Sequence, residues 1–161
     1  MSGTVANLVS TWSTFYADSA TTRTAVAFVH VGALLTGGGL AIVSDRATLR
    51  AARLDLSAQR VQLAELTRSH WMVVASLVLV TLSGVLMLTA DLDTYWVSRV
   101  FWVKMGAFVV LLANGLYMTR AARVAEQRGL AGWSSLRRSA LASLFLWFGI
   151  TLLGTALPNV G

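Results

Sequence analysis

The sequence predicts an all-α integral membrane protein, a four-helix bundle with a short N-terminal helix at the bilayer surface. Hydrophobic residues fill 56% of the positions and charged residues 12%, about half the charge expected of a soluble domain. Four apolar stretches, residues 24–43, 71–90, 97–118 and 139–157, each reach the roughly 20 residues needed to cross a hydrocarbon core about 30 Å thick. Backbone polar groups find no partner in lipid, so each stretch reads as a helix. No soluble domain is left over, and residues 1–161 read as one domain.

Ahead of the first span, MSGTVANLVSTWSTFYADSATT lacks the positive start and compact apolar core of a signal peptide. Its Val5, Leu8, Val9, Trp12, Phe15 and Tyr16 recur at helical spacing, which predicts an amphipathic helix lying at the membrane surface. In the first span His30, Ala33, Gly37 and Ala41 form a small-residue stripe along one face. The run Gly37, Gly38, Gly39 fits a kink, a tight helix crossing or a cavity wall, with close packing the expected reading. The connection after it repeats Leu49, Leu56, Leu63 and Leu66 among arginines, so it reads as helical, with Asp55 or Ser57 placed to cap a helix that runs on into the second span. Ser83 and Gly84 in that span supply a further close-contact point. On the third span Lys104, Ala107, Leu111 and Asn114 share a face, and on the fourth Ser143, Trp147, Thr151 and Gly154 do. Trp71, Tyr95, Trp96 and Trp102 fit interfacial belts.

Charge sets the orientation. Of thirteen basic residues, Arg46, Arg50, Arg53, Arg60 and Arg68 lie in the first connection and Arg120, Arg123, Arg128, Arg137 and Arg138 in the third. The second connection, TADLDTYW, carries Asp91 and Asp93 and no base. The positive-inside rule therefore puts the arginine-rich connections in the cytoplasm and both termini on the outer or periplasmic side of an inner membrane. Such basic amphipathic segments touch anionic lipid headgroups. With no recognisable nucleic-acid motif, the net charge of +6 does not point to a nucleic-acid partner.

Ionisable residues inside spans are rare and mark candidate sites. His30 and Lys104 fall at one depth in the outer half, roughly 9–10 Å in at 1.5 Å per residue, and Ser83 and Thr151 fall at the same level. These four residues are expected to form one polar layer. Asn114 supplies an interhelical hydrogen bond, and His70 stands at the cytoplasmic mouth of the second span. His30 and His70 enter from opposite sides, so one haem shared between them is not expected. Haem b held by His30, with Lys104 or a methionine opposite, stays open beside a purely structural, neutral His30. The chain has no cysteine, which excludes thiolate metal sites and iron–sulfur ligation by its own side chains. No nucleophile with base and orienter, no paired intramembrane carboxylates and no phosphate loop appear, so no catalytic residue is assigned.

The segments FVHVGALLTGGGLAIVSDRATL, LSGVLMLTADLDTYWVSRVFWVKMGAFVVLLANGLYM and RRSALASLFLWFGITLLGTALP resemble a family of uncharacterised bacterial four-span inner-membrane proteins, distantly similar to small membrane domains associated with copper handling. The family's recurrent residues correspond here to His30, Phe101 with Lys104, Asn114, and Trp147 with Gly149. Thr155 stands where similar proteins often carry an arginine. The resemblance implies the fold and no established activity.

Two functions are expected from this inventory. One is a non-catalytic accessory or scaffold subunit of a larger membrane complex, or a homo-oligomer. The other is a b-type haem- or metal-binding membrane redox protein using His30.

Overall fold

The computed structural model describes residues 2–128 and 130–160. Among them the chain is helical, in the order α1 (Ser2–Asp18), α2 (Ala20–Ala51), α3 (Leu56–Ala90), α4 (Leu92–Val97), α5 (Arg99–Arg128) and α6 (Leu130–Val160). The four long helices α2, α3, α5 and α6 are long and apolar enough to cross a membrane, and the protein is an integral membrane protein of helical-bundle type.

The helices outrun the apolar stretches. At 1.5 Å per residue α3 is roughly 50 Å long, against a hydrocarbon core of about 30 Å. The excess lies at the arginine-rich end, where the first connection is helix on both sides of a turn at Ala52–Asp55. Asp55 closes that turn as the N-cap of α3, accepting from the Ala58 N–H at 3.2 Å and the Ser57 hydroxyl at 2.8 Å. The second connection is also helical: Asp91 caps α4 through the Thr94 N–H, and Ser98 turns the chain into α5 by accepting from the Phe101 N–H.

The amphipathic N-terminal segment forms α1, separated from α2 by Ser19, whose hydroxyl accepts from the Thr22 N–H. Its Trp12 indole N–H donates to the Leu86 carbonyl at 2.9 Å and the Ser13 hydroxyl to the Ala90 carbonyl at 2.7 Å. These bonds fasten α1 to the last turns of α3.

The four long helices stand in an arc. α3 pairs with α2, α2 with α6, and α6 with α5, while α3 and α5 at the two ends of the arc barely meet. Small residues set the close approaches. A Cβ at Gly37 would lie 2.6 Å from the Ser76 Cβ, and one at Gly38 would lie 3.1 Å from the Trp147 ring. At the arginine-rich end a Cβ on Gly132 would overlap the backbone of Ala125. One apolar cluster, with Ala41, Leu111, Trp147 and Ile150, fills the middle of the bundle. A second, with Ala51, Ala121, Ala125, Trp133 and Leu136, fills its arginine-rich end.

Two packing expectations need correction. Gly39 is exposed and a Cβ there would meet nothing, so only the first two glycines of the run serve helix contact. Thr151 is exposed as well, and Ile150 takes the buried position in its place. In both cases a helical turn of 3.6 residues carries the neighbouring position, not the expected one, onto the packed face.

Candidate functional site

The expected polar layer is assembled in part. The His30 Nδ1 and the Ser83 hydroxyl are 3.0 Å apart, joining α2 to α3, and the edge of the imidazole lies where Gly84 leaves room. Lys104 is half-buried on α5, with its ammonium over Gly154 of α6. Thr151 does not join: its hydroxyl donates to the Trp147 carbonyl of its own helix at 2.8 Å. Asn114 makes the interhelical bond expected of it, since its amide donates to the Ser139 carbonyl at 3.0 Å and the Ser139 hydroxyl donates to its side-chain oxygen at 3.0 Å.

The His30 Nδ1 is tied to Ser83 with the ring edge close against α3, and neither His30 nor Lys104 lines the large groove of the bundle. His70 is exposed and more than ten residues from Ser83 along α3, at the wrong depth to act as a second axial ligand. No group of three or more carboxylate or imidazole side chains that could hold a metal ion occurs among the described residues.

A large concavity lies elsewhere, between α3 and α5, where the arc is open. It has a volume of about 1370 Å³, above the 300–1,000 Å³ of most ligand pockets. Leu77, Val78, Leu82 and Leu112 line it toward the middle of the bundle. Arg60, Arg123 and Glu126 line its arginine-rich end. Between these lies a polar band of Ser44, Asp45, Thr67, His70, Asn114 and Ser143, to which all four long helices contribute.

Asp45 is the residue that sequence reasoning missed. It is 2% exposed, and its Oδ2 has no hydrogen-bond partner among the described residues. The signal was present in the stripe Ala33, Gly37, Ala41, which continues at i+4 to Asp45 and then to Thr48, all buried. Ending the span at Val43 left Asp45 outside it. Nearby, the Gln62 amide donates to the Thr48 hydroxyl at 3.1 Å and to the Ser44 carbonyl at 3.3 Å, fixing the register of α2 against α3 below the band.

No family model matches this chain, and neither a curated protein nor a solved structure does. The resemblance to four-span inner-membrane proteins gains no support from these comparisons, and the membrane assignment rests on the four long apolar helices themselves.

Proposed function

We propose that this chain is a non-catalytic membrane protein, an accessory or scaffold subunit of a larger membrane complex or a homo-oligomer. The observation that carries this reading is where its interior polar groups are spent. His30 with Ser83, Asn114 with Ser139, and Trp12 and Ser13 with the end of α3 are ties between helices. Such ties make a bundle rigid and leave little for turnover. Its outward faces are apolar, with Phe28, Phe145 and Phe148 exposed, and suit lipid or another apolar helix.

The proposal includes orientation. The arginine-rich ends of α2, α3, α5 and α6 face the cytoplasm and α1 and α4 lie on the other side, by the positive-inside rule. A bacterial inner membrane is the setting that the sequence resemblance implies. Extraction in a mild detergent, followed by cross-linking and mass measurement of the native particle, tests the role. A stable oligomer or a reproducible protein partner is expected. A lone monomer in native membranes, with no cross-linked neighbour, would overturn the proposal.

A further inference from the structure

The groove between α3 and α5 changes character along its length. Leu77, Val78 and Leu82 on α3 and Leu112 on α5 make its walls apolar toward the middle of the bundle, while its arginine-rich end has Arg60 on the α3 wall and Arg123 on the α5 wall. Three contacts set the heights of these two arginines. Gly37 of α2 packs on Ser76 of α3, Gly38 of α2 on Trp147 of α6, and Gly132 of α6 on Ala125 of α5. Counted along the helices from those contacts, Arg60 comes level with Arg123 to within about one turn, roughly 5 Å. Both side chains are exposed, and neither makes an ion pair or a hydrogen bond with another described residue. Two like charges on facing walls repel each other, and an anion between them removes that cost.

We propose that this groove holds a diacyl phospholipid with an anionic head, its phosphate between Arg60 and Arg123 and its acyl chains along Leu77, Val78, Leu82 and Leu112. Guanidinium forks match phosphate oxygens, and basic pockets between spans on the cytoplasmic side suit anionic head groups. The lining follows the order of the lipid: arginines for the phosphate, the polar band with Thr67 and His70 for the glycerol and esters, leucines for the chains. Asp45, in the floor, is sealed at 2% exposed and takes no part. Glu126 is the exposed acid of the lining and stands against two arginines, with Arg46, Arg50, Arg53 and Arg120 at the same end of the bundle. That surplus of positive charge disfavours an ammonium in the head. The groove opens laterally, so the lipid enters from the bilayer, and its volume of about 1370 Å³ exceeds that of most small-ligand pockets. One chain supplies both walls, so the site is as complete in a monomer as in a scaffold assembly.

The test uses the full chain, stripped of lipid in detergent, with native mass spectrometry counting the lipid retained. The probes are dioleoyl phosphatidylglycerol, the phosphatidylcholine and diacylglycerol with the same chains, and glycerophosphoglycerol, which has no chains. Saturable binding of phosphatidylglycerol is expected, roughly five- to tenfold tighter than phosphatidylcholine or diacylglycerol, and glycerophosphoglycerol should not compete. Arg60→Gln and Arg123→Gln should each weaken it about fivefold, the effect of one basic residue on an anionic lipid. Arg53→Gln, at the same end but outside the groove, should leave it unchanged. Leu112→Trp, which fills the apolar section, should weaken it as well, and Glu126→Gln should leave it equal or tighter. The comparison of lipids needs no substitution and stands even where a variant folds poorly. Equal retention of the three lipids, or competition by glycerophosphoglycerol, would overturn the proposal. Equal losses in Arg53→Gln and Arg60→Gln would reduce the effect to a general attraction of the arginine-rich end, and weaker binding in Glu126→Gln would give the site to a zwitterionic head. Unchanged retention in a folded Leu112→Trp protein, above all one that loses a dimer or a bound polypeptide, would give the groove to a helix; each of these results overturns the proposal too.

Discussion

The His30 imidazole of α2 meets the Ser83 hydroxyl of α3 at 3.0 Å, and this contact uses the polar pair that two separate spans carry at one depth. The Ser83 hydroxyl also donates to the Leu79 carbonyl one turn back, at 2.6 Å, so the serine is held by its own helix while it faces the histidine. Interhelical bonds of this kind contribute on the order of 0.6–2 kcal/mol in membrane proteins. Ser83→Ala is expected to lower stability by about 1 kcal/mol, read from unfolding in mixed detergent. Thr151→Ala, whose hydroxyl turns back on its own helix, should leave stability within about 0.5 kcal/mol. Equal losses for both would remove the special place given to the α2–α3 pair.

The glycine run offers a sharper comparison. Gly37→Ala puts a Cβ 2.6 Å from the Ser76 Cβ, which neither helix can accept without moving apart. Overpacking of this kind costs about 1–3 kcal/mol. Gly39→Ala meets nothing within 4 Å, and the gain in helix propensity, up to about 1 kcal/mol, should make it neutral or stabilising. Thermal aggregation midpoints of the two variants, measured in the same detergent, should fall on opposite sides of the parent or nearly so. A tolerant Gly37 would mean that α2 and α3 do not approach as described.

How much of the fold is legible in the sequence follows from periodicity. The stripe from His30 through Ala33 and Gly37 to Ala41 locates the α2–α3 seam, because small residues at i, i+3 and i+4 let two helix backbones approach closely in lipid. Asp55 is readable as a cap because a short polar side chain directly precedes an apolar repeat. Asp45 is not, since hydropathy closes a span at the first charges, while the helix and its packed face run on without regard to the lipid boundary. α4 escapes for a different reason: in TADLDTYW the acids and aromatics that cap and cover a short helix look like an interfacial loop. The groove lies beyond reach altogether, because which two of four helices fail to meet is a property of the arc and not of any one segment.

Haem is expected to be absent from the purified protein. With His30 tied to Ser83 and set apart from the groove, there is no room for a macrocycle on that side of the imidazole. Protein made in cells well supplied with haem should show no Soret band, and His30→Ala should leave the absorption spectrum unchanged. A Soret band that disappears in His30→Ala would restore His30 as a haem ligand.

Acid should loosen the turn between α2 and α3. Asp55 lies outside the spans, and hydrogen bonds from the Ser57 hydroxyl and the Ala58 N–H hold its carboxyl below its ordinary pKa. A pKa depressed in the folded state contributes stability that is present above the unfolded value and lost as pH falls through the folded one. The turn is therefore firm at neutral pH and weakens below the usual aspartate range, near pH 4. The hydrogen-exchange protection of the Ala58 amide should fall on acidification in the parent. In Asp55→Ala it should be low throughout and lose this pH dependence, and matching profiles would deny Asp55 its part in the cap.

Orientation can be read chemically, because the chain has no cysteine and single cysteines give an unambiguous label. Arg53 and Asp93 are both exposed, in the turn before α3 and in α4, at opposite ends of the α3 helix. Arginines cluster at the first end, with Arg46, Arg50, Arg60 and Arg68 in the same connection, while Asp91 and Asp93 mark the second. The positive-inside bias then requires Asp93→Cys to react with a membrane-impermeant maleimide applied to intact cells, and Arg53→Cys to react only after permeabilisation. Because Arg53 is one of several arginines at its end, its loss should not reverse the bias. Labelling of Arg53→Cys from outside, with Asp93→Cys protected, would invert the bundle. It would also put the groove's polar band, with Asp45 and His70, in the opposite leaflet.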